Sequence, residues 1–261
     1  MSLLLLIHTD SLAHLTLQPP PPSPTSDDDN NNDPLLQQQS TPSTTTNTRP
    51  PPPSPTSDDD NNNDPLLQQQ STPSPDTILV NLTVCSWLNV HHFREKTYVY
   101  SYATSDKDNN ELNMSIREDK VFIAVGSKYL YGNSNTNFLP GVWYHVCFVV
   151  DHLDFLVYLD GSLHRTQSIT ERSILLNGTL ILGQEADKVL GGFQEQQSFS
   201  GRITGFNLYS RALSSQEVTQ LATCDPDLVE GDLVAWSRAN WTVQGQVREL
   251  DLPSNDYCTQ R

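Results

Sequence analysis

The residues best placed to do chemistry lie between Gly183 and Gly201, in the stretch GQEADKVLGGFQEQQSFSG. Glu185 and Asp187 stand one residue apart, and the glycine pair Gly191-Gly192 follows. Phe193 then leads into the polar run Gln194-Glu195-Gln196-Gln197. An apolar run, Thr179 to Leu182, enters the stretch, and another, Ile203 to Leu208, leaves it. This is the pattern of a long loop held between two strands and rich in oxygen donors. A hard cation such as calcium takes six to eight oxygens from carboxylates, amides and backbone carbonyls. The loop is therefore read as half of a calcium site.

Composition narrows the alternatives. The chain has 261 residues and a formal net charge of −16. Residues 1–76 carry ten acids, all Asp, against one Arg, and 77–261 carry 21 acids against 14 bases. That balance excludes nucleic acid as a partner, because phosphate neutralisation needs clustered Lys and Arg. No run of 18 apolar residues occurs, so no membrane insertion through a helix is expected. The four cysteines, Cys85, Cys147, Cys224 and Cys258, include no CxxC pair, which removes support for zinc. Their even count and wide spacing indicate two disulfides in an oxidising compartment, with three connectivities open. Sequons at Asn81, Asn113, Asn177 and Asn240 add to the reading of a secreted, extracellular glycoprotein. No GxSxG, HExxH or phosphate-binding glycine loop is present, and the chain is read as a binding protein, not an enzyme. Treating Glu185 and Asp187 as the two carboxylates of a glycosidase is the disfavoured alternative.

The elements that must position the loop follow from the patterning. Residues 1–18 read either as the first strands of the domain, with Leu3–Ile7 and the alternating Leu12–Leu17 as candidates, or as a weak signal-like segment. Residues 19–76 hold PPPPSPTSDDDNNNDPLLQQQSTPS twice, letter for letter, at 19–43 and 50–74. Such Pro, Asp, Asn and Gln tracts cannot bury enough apolar surface to offset the entropy of ordering, so a disordered insertion is expected. From residue 77 to 261, short β-type runs alternate with turn clusters at the spacing of a sandwich or barrel. The runs include Thr77–Asn89, Thr97–Ala103, Leu112–Ile116, Lys120–Val125, Trp143–Val150 and Leu233–Val243. Asp160-Gly161 between apolar flanks signals a tight hairpin. Ser214-Ser215-Gln216-Glu217 is a capping box that starts one short helix.

Taken together, these segments resemble the pentraxin family. The likeness is carried by Thr83-Val84-Cys85, Ser101-Tyr102-Ala103-Thr104, Asp108-Asn109, His145-Val146-Cys147, Leu182-Gly183-Gln184-Glu185-x-Asp187, Gly192-x-x-x-x-Gln197, Leu213-Ser214, Trp236 and Val243-Gln244-Gly245. It runs from about Thr83 to Val247. One signature departs: Val149-Val150 stand where the family usually carries Ser/Thr-Trp. The resemblance implies an all-β fold, a two-sheet antiparallel jelly-roll sandwich of the concanavalin A/laminin G kind, assembled as a cyclic homo-oligomer. It implies a Cys85–Cys147 disulfide joining two core strands and, with it, a Cys224–Cys258 pair that ties the C-terminal tail down.

For the site, the resemblance implies two calcium ions per subunit. The first would be held by Asp108, Asn109, Glu185, Asp187 and the carbonyl of Ala186. The second would share Glu185 and Asp187 and add Gln197, with Gln194 where some members carry an acid. Without that charge the second ion is expected to bind more weakly, unless Glu195 substitutes. The ligand pocket would be lined by Leu112 or Met114 and by Lys128, which stands where an acid meets a quaternary ammonium. Lys128 would repel such a group, so an anionic phosphorylated or carbohydrate ligand is expected. The implied function is a secreted, lectin-like, calcium-dependent recognition protein in innate immunity. The alternative is a laminin-G-like adhesion module in which calcium does not bridge to ligand.

Overall fold

The structure is a computed structural model that describes residues 2–7, 14–17, 78–107, 109–133, 137–176, 178–225, 227, 229–252 and 256–259. The expected insertion at 19–76 lies outside the described residues. In chain order the strands are Ser2–Ile7 (β1), His14–Leu17 (β2), Ile78–Leu79 (β3), Leu82–Val90 (β4), Thr97–Ala103 (β5), Leu112–Ile116 (β6), Lys120–Val125 (β7) and Lys128–Asn133 (β8). They continue with Trp143–Asp151 (β9), Asp154–Leu159 (β10), Ser162–Ser168 (β11), Ile174–Leu175 (β12), Thr179–Leu182 (β13), Gly201–Tyr209 (β14), Trp241–Gln244 (β15) and Val247–Leu252 (β16). Ser215–Ala222 forms α1 and Asp256–Thr259 a short α2.

Two seven-stranded antiparallel sheets face one another, in the orders β11-β10-β9-β4-β14-β1-β16 and β15-β2-β13-β5-β6-β7-β8. This is the expected jelly-roll sandwich, with one helix of more than a single turn among the described residues. The core fills the space between the sheets. Leu82, Val84, Val146, Phe148 and Phe206 come from one side, and Tyr100, Leu112, Met114, Ile123 and Leu182 from the other. Their period of two matches the pleat, which sends alternate side chains to opposite faces.

In β4 all nine residues are buried, because its second face is covered as well. Cys85 and Cys147 sit opposite one another in the β4–β9 register and are joined by a disulfide on that outer face. Tyr158, Tyr209, Leu213 and Val218 pack with them, so α1 lies over the bridge. Further along the same face, Trp87 and Trp143 pack with Tyr257, and Cys224 is bonded to Cys258. Both disulfides are as the family resemblance implies.

Local chemistry explains the element ends. The β10–β11 hairpin turns on Asp160 and Gly161, both at positive φ (50° and 78°), the conformation that a two-residue primed turn requires. Helix α1 begins at the Ser214 N-cap. Its hydroxyl accepts from the Glu217 amide at 3.3 Å, and the Ser214 amide donates to Glu217 Oε2 at 2.8 Å. The run Leu233–Val243 is not the single strand that its composition suggests. Asn207 Oδ1 accepts from the amides of Gly231 and Trp236, Arg238 and Ala239 donate back to the Ala235 carbonyl, and only Trp241–Gln244 is strand. The turn lets Trp236 bury its ring against the core, and burial outweighs β-propensity here.

Candidate metal centre

The loop after β13 is closed at its neck. Gly183, at φ +84°, donates its amide to the Val99 carbonyl at 2.8 Å, and its own carbonyl accepts from the Phe199 amide at 2.8 Å. Residues 184–198 therefore form a loop whose two ends meet against β5. Ser101, on β5, clamps the backbone on both sides of Glu185. Its hydroxyl donates to the Gln184 carbonyl at 2.9 Å and accepts from the Ala186 amide at 3.1 Å. The loop then doubles back through reciprocal Lys188–Gly191 backbone bonds, with Leu190 at φ +54°. Gly192 follows at φ +75°, and a Cβ there would stand 2.5 Å from the Asp187 Cβ, so only glycine fits beside the acid. Glu195–Gln197 make a single 3₁₀ turn that brings Gln197 back toward Glu185.

These contacts gather the predicted oxygens. Glu185 is only 5% exposed and hydrogen-bonds the side chains of Tyr98 and Gln197. Its Oε2 is buried with no hydrogen-bond partner, and so is Oε1 of Gln197. Asp187 is exposed next to them. Asn109 Nδ2 donates to the Asp187 carbonyl at 2.7 Å, which joins the β5–β6 loop to the loop after β13. Gln194 Nε2 donates to Asp187 Oδ2 at 2.8 Å. Asp106 Oδ1 accepts from the Val189 amide at 2.9 Å and strengthens the same junction. Ala186 is buried, pinned by Ser101. Asp108 lies outside the described residues.

Electrostatics sets this carboxylate apart. Burial pushes the Glu185 pKa up, and the negative charge of Asp187 acts in the same direction. The Tyr98 hydroxyl, Lys96 and the Gln197 amide oppose the rise without cancelling it. Buried polar oxygens are nearly always paired in folded proteins. Two unpaired ones, on Glu185 and Gln197 beside an exposed carboxylate, are the kind of oxygen donors that a hard cation takes. The residues present therefore fit calcium. The Cys85, His145 and Cys147 ligand atoms also cluster, within 4.8 Å, but the two sulfurs are bonded to one another and cannot ligate.

Two expectations need correction. Leu112 and Met114 do not line a pocket: they point between the sheets and are 1% exposed, packed in the core. In β6 the period of two gives the opposite face to Asn113 and Ser115 instead. Asn113 in turn does not suit a glycan, because it is buried and its Nδ2 donates to Asn110 Oδ1 at 2.6 Å. Of the other sequons, Asn81 accepts from the His152 amide, Asn240 is exposed, and Asn177 lies outside the described residues. Lys128 is exposed at the start of edge strand β8. Sequence reasoning missed Tyr98 and the clamping role of Ser101. The Ser101 segment carried part of the family likeness, but nothing in its pattern marks the hydroxyl as a backbone clamp.

Comparison with known proteins agrees with the fold. The model of the Pentaxin family matches residues 60–249. C-reactive protein 1.1 of Limulus polyphemus is 26% identical over 189 residues, covering 69% of this chain and 77% of its own. Human neuronal pentraxin-1 is 29% identical over 167 residues, covering 62% of this chain but 38% of its own length. Among solved structures, the native heptameric SAP-like pentraxin from Limulus polyphemus superposes with a TM-score of 0.69 at 21% identity, over 99% of this chain and 97% of that one. The family model spans well over half of the residues, in a sandwich that holds both disulfides where the family resemblance implies them. This chain belongs to the pentraxin family.

Proposed function

We propose that the chain is a secreted, calcium-dependent recognition protein whose ligand is an anionic phosphorylated molecule or a carbohydrate. The observation that carries this reading is the pair of buried, unpartnered oxygens, Glu185 Oε2 and Gln197 Oε1, beside Asp187. Asp108, Asn109, Glu185, Asp187 and the Ala186 carbonyl would hold one ion. Glu185, Asp187 and Gln197, with Gln194, would hold a second. Bound calcium supplies exposed positive charge that phosphate or vicinal hydroxyl oxygens can complete. The second ion is the weaker, because Gln194 brings no charge and donates its amide to Asp187. With Leu112 and Met114 in the core, the sheet face beside the loops has no apolar wall from β6, which favours polar ligands over a quaternary ammonium.

Two disulfides support secretion, since such bonds persist in oxidising compartments. No helix among the described residues is long and apolar enough to cross a membrane. Assembly as a cyclic homo-oligomer is part of the proposal and is supported by the heptameric relative. So is the domain plan, in which residues 1–18 supply the first strands and 19–76 is an insertion in a surface loop. That plan is supported by β1 pairing with β14 and β16, and by β2 pairing with β13 and β15. Deleting 19–76 tests it: a folded, calcium-binding product is expected, and an unfolded one refutes the plan.

The test of function is calcium titration of wild type against Asp187→Ala, with retention on phosphate- and galactose-bearing resins read in parallel. The variant is expected to lose most of its calcium affinity and all calcium-dependent retention. Equal affinity in the two proteins would sink the proposal.

A further inference from the structure

We propose that Tyr98 is a positioning residue for this centre, holding one side of the Glu185 carboxylate so that Oε2 stays available as a ligand oxygen; the inference rests on the calcium reading above. Simple alternation in β5 does not put Tyr98 there. Tyr100 and Tyr102 both face the core, and a period of two would send Tyr98 to join them. The β5–β6 register shifts between Tyr98 and Tyr100. Val99 and Tyr100 consequently both reach the core, and Tyr98 falls on the face of Ser101, the residue that clamps the Glu185 backbone. An extra residue in one strand re-aims the side chains beyond it, and such bulges concentrate next to functional sites.

On that face Tyr98 is 2% exposed and its side chain is hydrogen-bonded to Glu185. The phenol is a hydrogen-bond donor to the carboxylate it faces. Gln197, the other side chain bonded to Glu185, keeps an unpartnered Oε1 and is itself a candidate ligand. Tyr98 has no such second duty. One chain element thus fixes the ligand twice: Ser101 holds the Glu185 backbone and Tyr98 its carboxylate. Groups that orient a metal ligand from behind contribute about tenfold or more in metal affinity.

The experiment is calorimetric titration of calcium chloride into the full chain, wild type, Tyr98→Phe and Glu185→Gln, each with its metal-free Tm. Near-ultraviolet difference absorption of tyrosine is recorded as calcium is added. Phe keeps the ring and its packing, so the metal-free fold should persist while calcium affinity falls by about tenfold. Wild type should show a tyrosine difference signal on calcium addition, because the ion draws charge from the carboxylate that the phenol faces. That signal should be absent from Tyr98→Phe. Unchanged affinity in Tyr98→Phe, with Glu185→Gln impaired, overturns the role of Tyr98 alone. A weakened Tyr98→Phe without any tyrosine signal in wild type also overturns it, since the phenol then does not sense the ion through Glu185. Wild-type affinity in Glu185→Gln overturns the calcium reading and this inference with it.

Discussion

Two glutamates show how differently the two outer faces of the sandwich are built. Glu217, at the start of α1, is fully engaged. It takes hydrogen bonds from Arg211 at 2.6 Å and from both the amide and the hydroxyl of Ser214. Those partners, the Arg211 guanidinium first, hold its pKa down to about 2. Glu185, above the other sheet, is more deeply buried yet keeps an oxygen with no partner, and burial pushes its pKa up. One carboxylate stabilises the fold by being ionised, and the other opposes the fold by being ionised. Glu217 has its oxygens satisfied by neighbouring donors, whereas Glu185 keeps one buried oxygen unpaired. Structural strain of this kind concentrates at functional sites and is offset elsewhere in the fold.

The largest effect expected from breaking this contrast is on the stable side. The Cys85–Cys147 bridge closes a loop with a sequence separation of 62 residues, and loop entropy of that length is worth about 4 kcal/mol. Replacing both with Ala should lower the free energy of unfolding in urea by that order. Calcium affinity of the folded fraction should hold, because the bridge lies under α1 and not beside the loop. Loss of calcium binding in parallel with stability would show that the two faces are not independent.

Next in size is the response of Glu185→Gln, which should have opposite signs with and without metal. The folded pKa of Glu185 lies above its ordinary value of 4.5, so its contribution to stability is present below that pH and is lost as pH rises through the folded pKa. At neutral pH, in chelator, the neutral variant should therefore melt above wild type, by roughly 2–4 °C for each kcal/mol relieved. With calcium at a hundred times Kd, wild type should gain about 2.7 kcal/mol that the variant lacks. A variant that melts below wild type in chelator would mean that Glu185 is a structural anchor, like Glu217.

The same contrast decides what the sequence made legible. The capping box and the Asp160-Gly161 turn are local and strongly patterned and could be read directly, whereas the cysteine pairing came only through the family resemblance. The oxygen-rich loop could be read from residue types alone. What escaped depends on register. Tyr98 reads as a core residue until a bulge in β5 turns it toward Glu185. Leu112 and Met114 read as pocket walls, but a shift of one residue in β6 exchanges the faces and puts Asn113 and Ser115 there. The edge strands β8 and β11 hide for another reason. Ser162–Ser168 is largely exposed along its length, so no alternation marks it, and the hairpin turn alone places it. Asn113 satisfies a sequon but is consumed by a hydrogen bond that sequence does not show.

The smallest effects lie at the cap, where they test whether Glu217 works as ionised support. Ser214→Ala should cost about 1 kcal/mol, the usual value of an N-cap hydroxyl, and its urea curve should show that loss without a change in slope. Glu217→Gln carries the sign test. Because the folded pKa is about 2 and the ordinary value is 4.5, the support from Glu217 is present above pH 4.5 and is lost as pH falls toward 2. The gap between wild type and Glu217→Gln should therefore be constant above about pH 5 and close at acid pH, the reverse of the Glu185 pattern. Added salt should narrow it only in part. The Arg211 contact is largely exposed and is screened, while the reciprocal bonds to Ser214 remain. A gap that persists at pH 2 would assign the role of Glu217 to the second acceptor oxygen that Gln lacks, and would remove the charge from this side of the comparison.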